Sequence, residues 1–143
     1  MRYAICAARF NEHVVNALVE GARARLDQDG ASFDLQWVPG AFELPFAAKR
    51  LAESGSYAAV VCLGAVIRGE TAHFDYVAGE AARGIMDVGL ATGVPVIFGV
   101  LTTDTLQQAM ERAGGAHGNK GWDAAGAAID MASLLAGSQE GAR

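Results

Sequence analysis

The sequence predicts a three-layer α/β/α sandwich, with helices on both faces of a four-stranded parallel sheet. Three observations carry this. Apolar runs of strand length alternate with amphipathic helical stretches four times along the chain. The run Tyr57 to Leu63 is apolar throughout, as a strand buried on both faces is. Much of the chain's glycine, 18 residues in all, falls at predicted strand-to-helix loops and helix ends. Right-handed crossovers leave few topologies for such a pattern.

The elements follow in order. Tyr3 to Ala8 is a first strand. Glu12 to Gln28 is a helix, because Val14, Leu18, Ala22 and Leu26 recur on one face. Asn11 is its expected N-cap and Asp29-Gly30 its stop. Phe33 to Val38 is a second strand, ended by Pro39-Gly40. A helix from about Phe42 to Glu53 stops near Gly55. Tyr57 to Leu63 is the third strand, and Gly64 to His73 is expected to be a loop. A helix from about Asp75 to Ala91 turns Val77, Ala81, Ile85 and Val88 inward, and Thr92-Gly93 ends it. Val96 to Leu101 is the fourth strand. Asp104 is the expected cap of a short helix, with Gln107 at the capping-box position. Leu106, Ala109, Met110 and Ala113 would form its apolar face. Gly114 to Gly121 reads as a glycine-rich loop, and a last helix runs from Trp122 to about Leu135. The polar end, Ser138 to Arg143, is expected to fray.

The chain's 143 residues, 52% of them hydrophobic, suit one domain spanning 1–143 with a full core. A net charge of −5 and scattered basic residues argue against a nucleic-acid face. No apolar stretch reaches membrane-spanning length. Tyr3 to Ala8 is too short for a signal h-region and is followed by Arg9. Cys6 and Cys62 fall inside strands without metal spacing, as buried thiols of a reducing compartment do. A cytoplasmic protein is expected.

In a parallel sheet the strand ends converge on one edge, where ligands bind. Here they bring Arg9-Phe10-Asn11, Pro39 to Glu43, Ala65 to His73 and Phe98 to Thr103. Phe10 and Phe98 are expected to flank that edge and could stack a flat heterocycle; each is equally at home in the core. Glu43 is either a first-turn carboxylate favoured by the helix dipole or an acceptor for ligand hydroxyls. His73, in a polar loop, could carry protons near neutral pH or be a plain surface histidine. His13 and His117 have no partner at metal-ligand spacing, so no metal site is expected.

Gly64 to Thr71 lacks the lysine of a nucleoside-triphosphate loop, and no G-x-G-x-x-G follows the first strand. A smaller phosphate monoester fits better. Gly69, Glu70 and Thr71 can donate backbone N–H groups, and Thr71 adds a hydroxyl. Glu70 would then have to turn its carboxylate away. Arg112 could close such a site with a bidentate contact, or be a solvated surface arginine.

Several blocks together resemble lumazine synthase, the penultimate enzyme of riboflavin biosynthesis. They are Arg9-Phe10-Asn11, Trp37 to Pro45, Gly64 to Val77, Gly93 to Thr103 and Gly118-Asn119-Lys120-Gly121, in the family's order and across essentially the whole chain. The resemblance implies a flavodoxin-like fold. It implies condensation of 5-amino-6-(D-ribitylamino)uracil with 3,4-dihydroxy-2-butanone 4-phosphate, giving 6,7-dimethyl-8-ribityllumazine, phosphate and water, with no metal or organic cofactor. By the same resemblance, Phe10 stacks on the pyrimidine. Ala41, Phe42 and Glu43 meet the ribityl chain, and Ala65, Val66 and Ile67 meet the pyrimidine edge. Glu70 and Thr71 hold the phosphate, and His73 transfers protons. Phe98 and Arg112 resemble residues contributed by a neighbouring subunit, Arg112 to the phosphate.

The family assembles as pentamers, some members as sixty-subunit shells. The Gly118 to Gly121 loop, with no insertion before it, is similar to shell-forming members. The chain departs from them in having Met1 almost directly before Tyr3, where they carry an extra segment that adds a strand to a neighbour's sheet. That departure bears on the shell more than on the pentamer. Two other readings share the scaffold: a flavin- or lumazine-binding storage protein, and the archaeal-type riboflavin synthase. His73 and Arg112 argue against storage, and the Gly69 to His73 block favours the enzyme that handles a phosphorylated fragment.

Overall fold

The computed structural model describes residues 1–141, and side chains as far as Gly137. Four parallel strands, β1 (Arg2–Ala8), β2 (Ser32–Val38), β3 (Ala59–Ile67) and β4 (Val96–Thr103), form a sheet in the order β2-β1-β3-β4. Helices α1 (Glu12–Gln28) and α5 (Lys120–Gly141) cover one face. Helices α2 (Leu44–Glu53) and α3 (His73–Thr92) cover the other. The expected sandwich is therefore present, with the flavodoxin-like strand order. None of the described helices is long and apolar enough to cross a membrane.

Strand alternation sorts the core. Tyr3, Ile5 and Ala7 of β1 and Val61, Leu63 and Ala65 of β3 point to α1 and α5. Ala4, Cys6 and Ala8, with Val60, Cys62 and Val66, point to α2 and α3. Both central strands are thus buried on two sides, which is why they read as unbroken apolar runs. Edge strand β2 differs. Phe33, Leu35 and Trp37 pack on the α1 side, while Ser32, Asp34 and Gln36 are exposed. This face of β2 is therefore open from Ser32 to Gln36 and covered only at Val38, where a fully covered sheet was expected. Asp34 uses that face to accept from Tyr57 Oη at 2.6 Å and from Arg2, tying the starts of three strands together.

Helix α1 has the expected bounds and buries Val14, Leu18, Ala22 and Leu26. Gly30, Gly55 and Gly93 follow three helices at φ near +70° to +75°, the left-handed turn that lets the chain leave a helix. Several boundaries move. A 3₁₀ turn, Ala41–Glu43, precedes α2, so Leu44 and Pro45 open the helix instead of Phe42. Strand β3 begins at Ala59 and runs on to Ile67, past the expected end at Leu63. Gly64 read as a turn, yet its position in the strand is a tight fit: a Cβ there would sit 3.4 Å from both Ala8 Cβ and Leu44 Cδ1. Strand β4 likewise runs on to Thr103.

The short helix α4 (Leu106–Glu111) is capped by Thr105, with Gln108 completing the capping box, one residue later than Asp104 and Gln107. Asp104 is otherwise engaged, accepting from Arg68 Nε at 2.9 Å. Of the expected apolar face, Ala109 and Ala113 are buried, while Leu106 and Met110 are exposed. The glycine-rich stretch is a small antiparallel hairpin, β5 (Ala113–Gly115) and β6 (Gly118–Asn119). Helix α5 starts at Lys120, two residues early, and continues to Gly141. The end expected to fray is helical that far; 142–143 lie outside the described residues.

Candidate active site

The sheet order reverses between β1 and β3: β1 is followed by β2 on one side, and the chain then crosses to β3 on the other. Crevices at such a switch point hold ligands in open parallel sheets. The register shows how this one opens. Pairing of β1 with β3 ends at Ala7 and Leu63, but β3 continues beside β4 through Ile67 and Thr103. The Ala65 to Ile67 segment therefore overhangs the end of β1. The Ala65 carbonyl faces the vacated side and accepts from Asn11 Nδ2 at 2.7 Å. By strand alternation Ile67 offers its backbone to the same side. The side chains of Ala65 and Val66 are buried in the two cores, so backbone is what these residues can present.

Asn11 is the one described non-glycine residue at positive φ, +63°, and its side chain makes no cap to α1. Asn11 holds the expected N-cap position, its carbonyl accepting from Val15 N–H at 3.1 Å, but its side chain clips this loop to the end of β3. It follows Phe10, which is 72% exposed at the mouth of the crevice. The Arg9 and Phe10 N–H groups donate to Val38 and Pro39 carbonyls at 2.8 and 3.0 Å. Arg9 also stacks 5.0 Å above the Trp37 ring. These bonds join the loop after β1 to the loop after β2. Phe42 and Glu43 then stand exposed beside the crevice, while Ala41 is buried and can offer only backbone.

Beyond β3 the chain turns through Arg68 to Ala72 into α3. His73 is the first residue of that helix, two places earlier than expected, and is exposed. Ala72 occupies the N-cap and has no side-chain acceptor, leaving the first-turn N–H groups of a 20-residue helix without a side-chain cap. Thr71 Oγ1 gives only a long contact, 3.4 Å, to His73 N–H. Glu70 and Thr71 are exposed at this positive helix end.

Arg68, the first residue after β3, is already occupied. It pairs with Asp104 at 2.9 Å and Asp75 at 3.5 Å, and lies 4.4 Å from the Phe74 ring centroid. The bond to Asp104, with both carboxylate charges, pushes its pKa further up. Its partners lie seven and thirty-six positions away, so no local pattern in the sequence marks the pair.

Phe98 and Arg112 lie elsewhere. Phe98 pairs with Cys62 in mid-sheet, not at the strand end with Phe10. The expectation that two aromatics flank one edge is corrected: Phe98 is the third residue of β4, half-buried against the core beneath α2 and α3. Arg112 ends α4 and donates from Nη1 to the Gln108 carbonyl at 3.0 Å. It lines two open hollows of about 380 and 400 Å³. Arg68, Phe74 and Thr103 share the first, and Phe98, His117 and Lys120 share the second. Neither contains Phe10, Glu43 or His73. The first hollow does join Arg112 to Arg68 and Phe74, on either side of Glu70, Thr71 and His73. Sequence reading missed Lys120 as a neighbour of Arg112, because only the hairpin brings them together.

Among the described residues, no three His, Cys, Asp or Glu are grouped to hold a metal ion. His117 instead lies 3.9 Å from Glu111. Cys6 and Cys62 are free, fully buried register partners, and burial pushes both thiols up, Cys6 to about 12.

The overhang, the exposed Phe10 and the α3 start without a side-chain cap all stand at the edge where the strands end, the edge at which parallel sheets bind ligands. The sequence also matches the family model of 6,7-dimethyl-8-ribityllumazine synthase over residues 1–136 of 143. The chain belongs to the 6,7-dimethyl-8-ribityllumazine synthase family.

Proposed function

We propose that the protein condenses 5-amino-6-(D-ribitylamino)uracil with 3,4-dihydroxy-2-butanone 4-phosphate, the penultimate step of riboflavin biosynthesis. The observation that carries this reading is the β3 overhang. Past the end of β1 it turns backbone of Ala65 and Ile67 away from β4, the Ala65 carbonyl already taking the Asn11 amide, and Phe10 stands exposed in the loop after β1, so that edge and face of one planar ring could be met there. Glu43 and backbone at Ala41 and Phe42 accept and donate to the ribityl hydroxyls. The uncapped α3 terminus, with Glu70 backbone and the Thr71 hydroxyl, receives the phosphate.

The chemistry balances without a redox step. The 5-amino group attacks the butanone carbonyl and one water leaves as the imine forms. The C3 proton is then removed as phosphate leaves C4 with the C–O bonding pair, and the resulting enol takes a proton at C4, so that C3 becomes a carbonyl and C4 a methyl group. The ribitylamino nitrogen attacks that new C3 carbonyl, and a second water leaves on ring closure. His73 sits between ring and phosphate loop to carry protons between these steps. Both substrates are intrinsically reactive, so holding them together supplies much of the acceleration.

Phe98 and Arg112 complete the site from a neighbouring subunit. Neither hollow lined by Arg112 includes Phe10, Glu43 or His73, although the first reaches Arg68 and Phe74 on either side of the phosphate loop; family membership supports a homo-oligomer with sites between subunits, a pentamer or a larger shell of pentamers. Arg112 then closes on the phosphate with a bidentate contact.

The test mixes purified protein with both substrates and follows lumazine absorbance against a no-protein control. Acceleration that falls sharply with Arg112→Ala is expected. An assembled sample that binds lumazine or riboflavin without acceleration would overturn the reading in favour of a binding protein. Riboflavin formed from two lumazines would overturn it in favour of a riboflavin synthase.

A further inference from the structure

The Gly118 to Gly121 segment supplies no side chain to the proposed chemistry, yet it is closely fitted. Asn119 Oδ1 accepts from the N–H groups of Gly121 at 2.8 Å and Trp122 at 3.1 Å, satisfying donors at the start of α5. Its Nδ2 donates to the Ala17 carbonyl of α1 at 3.0 Å, across 102 positions. Gly21 keeps room for the amide, since a Cβ there would stand 2.2 Å from Asn119 Oδ1. One side chain therefore joins α1, the hairpin and α5.

The same hairpin holds Arg112. Its carbonyl accepts from Lys120 N–H at 2.8 Å, and Ala113 pairs with Asn119. The hairpin is short, and Gly114 and Gly118 both lie at positive φ. A two-stranded hairpin of this size has little stability alone. Its place on the molecule depends on what it is fastened to. The Asn119 amide fastens it to α1, the helix that opens directly after Phe10 and Asn11.

We propose that Asn119 is a positioning residue for Arg112, holding the guanidinium where it can meet the phosphate of the neighbouring site. This rests on the phosphate role proposed for Arg112. A bidentate contact tolerates little displacement, and loosening of about 1 Å costs roughly ten- to a hundredfold in a positioned contact. The helix-capping half of Asn119 and its α1 half are separable. Serine keeps a capping oxygen and loses the donor to Ala17.

The experiment compares Asn119→Ser and Asn119→Ala with wild type, after size and circular dichroism confirm assembly. In Asn119→Ser, KM for the phosphorylated butanone is expected to rise roughly tenfold. KM for the amine and kcat should stay within about twofold of wild type, which a general loss of stability would not arrange. Adding Arg112→Ala to Asn119→Ser should raise that KM no further than Arg112→Ala alone. If Asn119→Ala fails to assemble, Asn119→Ser still decides. An unchanged KM for the phosphorylated substrate in Asn119→Ser, or an equal rise in both KM values, overturns the proposal. If Arg112→Ala itself leaves that KM unchanged, the phosphate reading of Arg112 fails first, and is told apart by that variant alone.

Discussion

The Asn11 side-chain amide reaches across the sheet's switch point to the Ala65 carbonyl, 2.7 Å away and 54 positions on. It does so from a left-handed backbone, φ +63°. The bond joins the loop that carries Phe10 to the overhanging end of β3, so the two walls of the crevice are set relative to one another.

Asn11→Ala should therefore lose stability twice, about 1 kcal/mol for the left-handed backbone and about 1 kcal/mol for the bond. Asn11→Gly should recover the first part only. Denaturant midpoints at fixed protein concentration would separate them. Equal losses in the two variants would mean that the backbone is not strained. Both should weaken binding of the ribitylamino pyrimidine more than of the phosphorylated partner.

Gly121 allows α5 to approach α1 closely, since a Cβ there would lie 1.9 Å from the Leu18 carbonyl oxygen. Gly121→Ala should cost about 3 kcal/mol or more, the upper range for overpacking, because the obstacle is backbone. Gly126→Ala makes the control: its Cβ would meet only Arg25 Nε at 3.6 Å. Thermal denaturation of the pair would check the contrast.

Arg68 is about half exposed, so solvent screening should leave its pairs with Asp75 and Asp104 contributing little to stability. Their expected effect is on geometry, since they brace the start of the phosphate loop. Arg68→Gln should barely move the unfolding midpoint and should raise KM for the phosphorylated substrate. Added salt, which screens the Arg68 pairs as well as the phosphate contacts, should raise that KM by a larger factor in the wild-type protein than in the variant.

The fold was largely legible because burial writes itself into the central strands. What failed to show has a physical reason in each case. Gly64 looked like a turn because glycine usually is one; here it lies flat between Ala8 and Leu44. Asp104 fitted the cap pattern as well as Thr105, but its carboxylate is held by a residue thirty-six positions away. Asn11 had the composition of an N-cap and spends its amide on a distant carbonyl. Phe98 was placed by its nearness in sequence to the strand end, and only the register with Cys62 shows it in mid-sheet. Local patterns predict local bonds; these four positions were decided by distant partners.

Burial raises both thiols, Cys6 to about 12 and Cys62 in the same direction. A thiol whose folded pKa is raised favours the folded state below its unfolded pKa. That contribution falls as pH climbs from the ordinary thiol range towards 12. Stability should therefore decline above about pH 8.5, less steeply in a Cys6→Ala, Cys62→Ala double variant. Ellman's reagent at pH 8 should find no reactive thiol until the protein unfolds. Rapid labelling of the native protein would contradict the burial.

If each chain's Phe98 and Arg112 serve the next chain's His73, a defect in one gene copy need not stay with its bearer. In an equal mixture of His73→Ala and Arg112→Ala chains, about a quarter of the interfaces would unite two undamaged halves. Two impaired proteins, unfolded and reassembled together, would regain activity that neither has alone. Function would then be heritable by the junction, and two recessive lesions could complement one another.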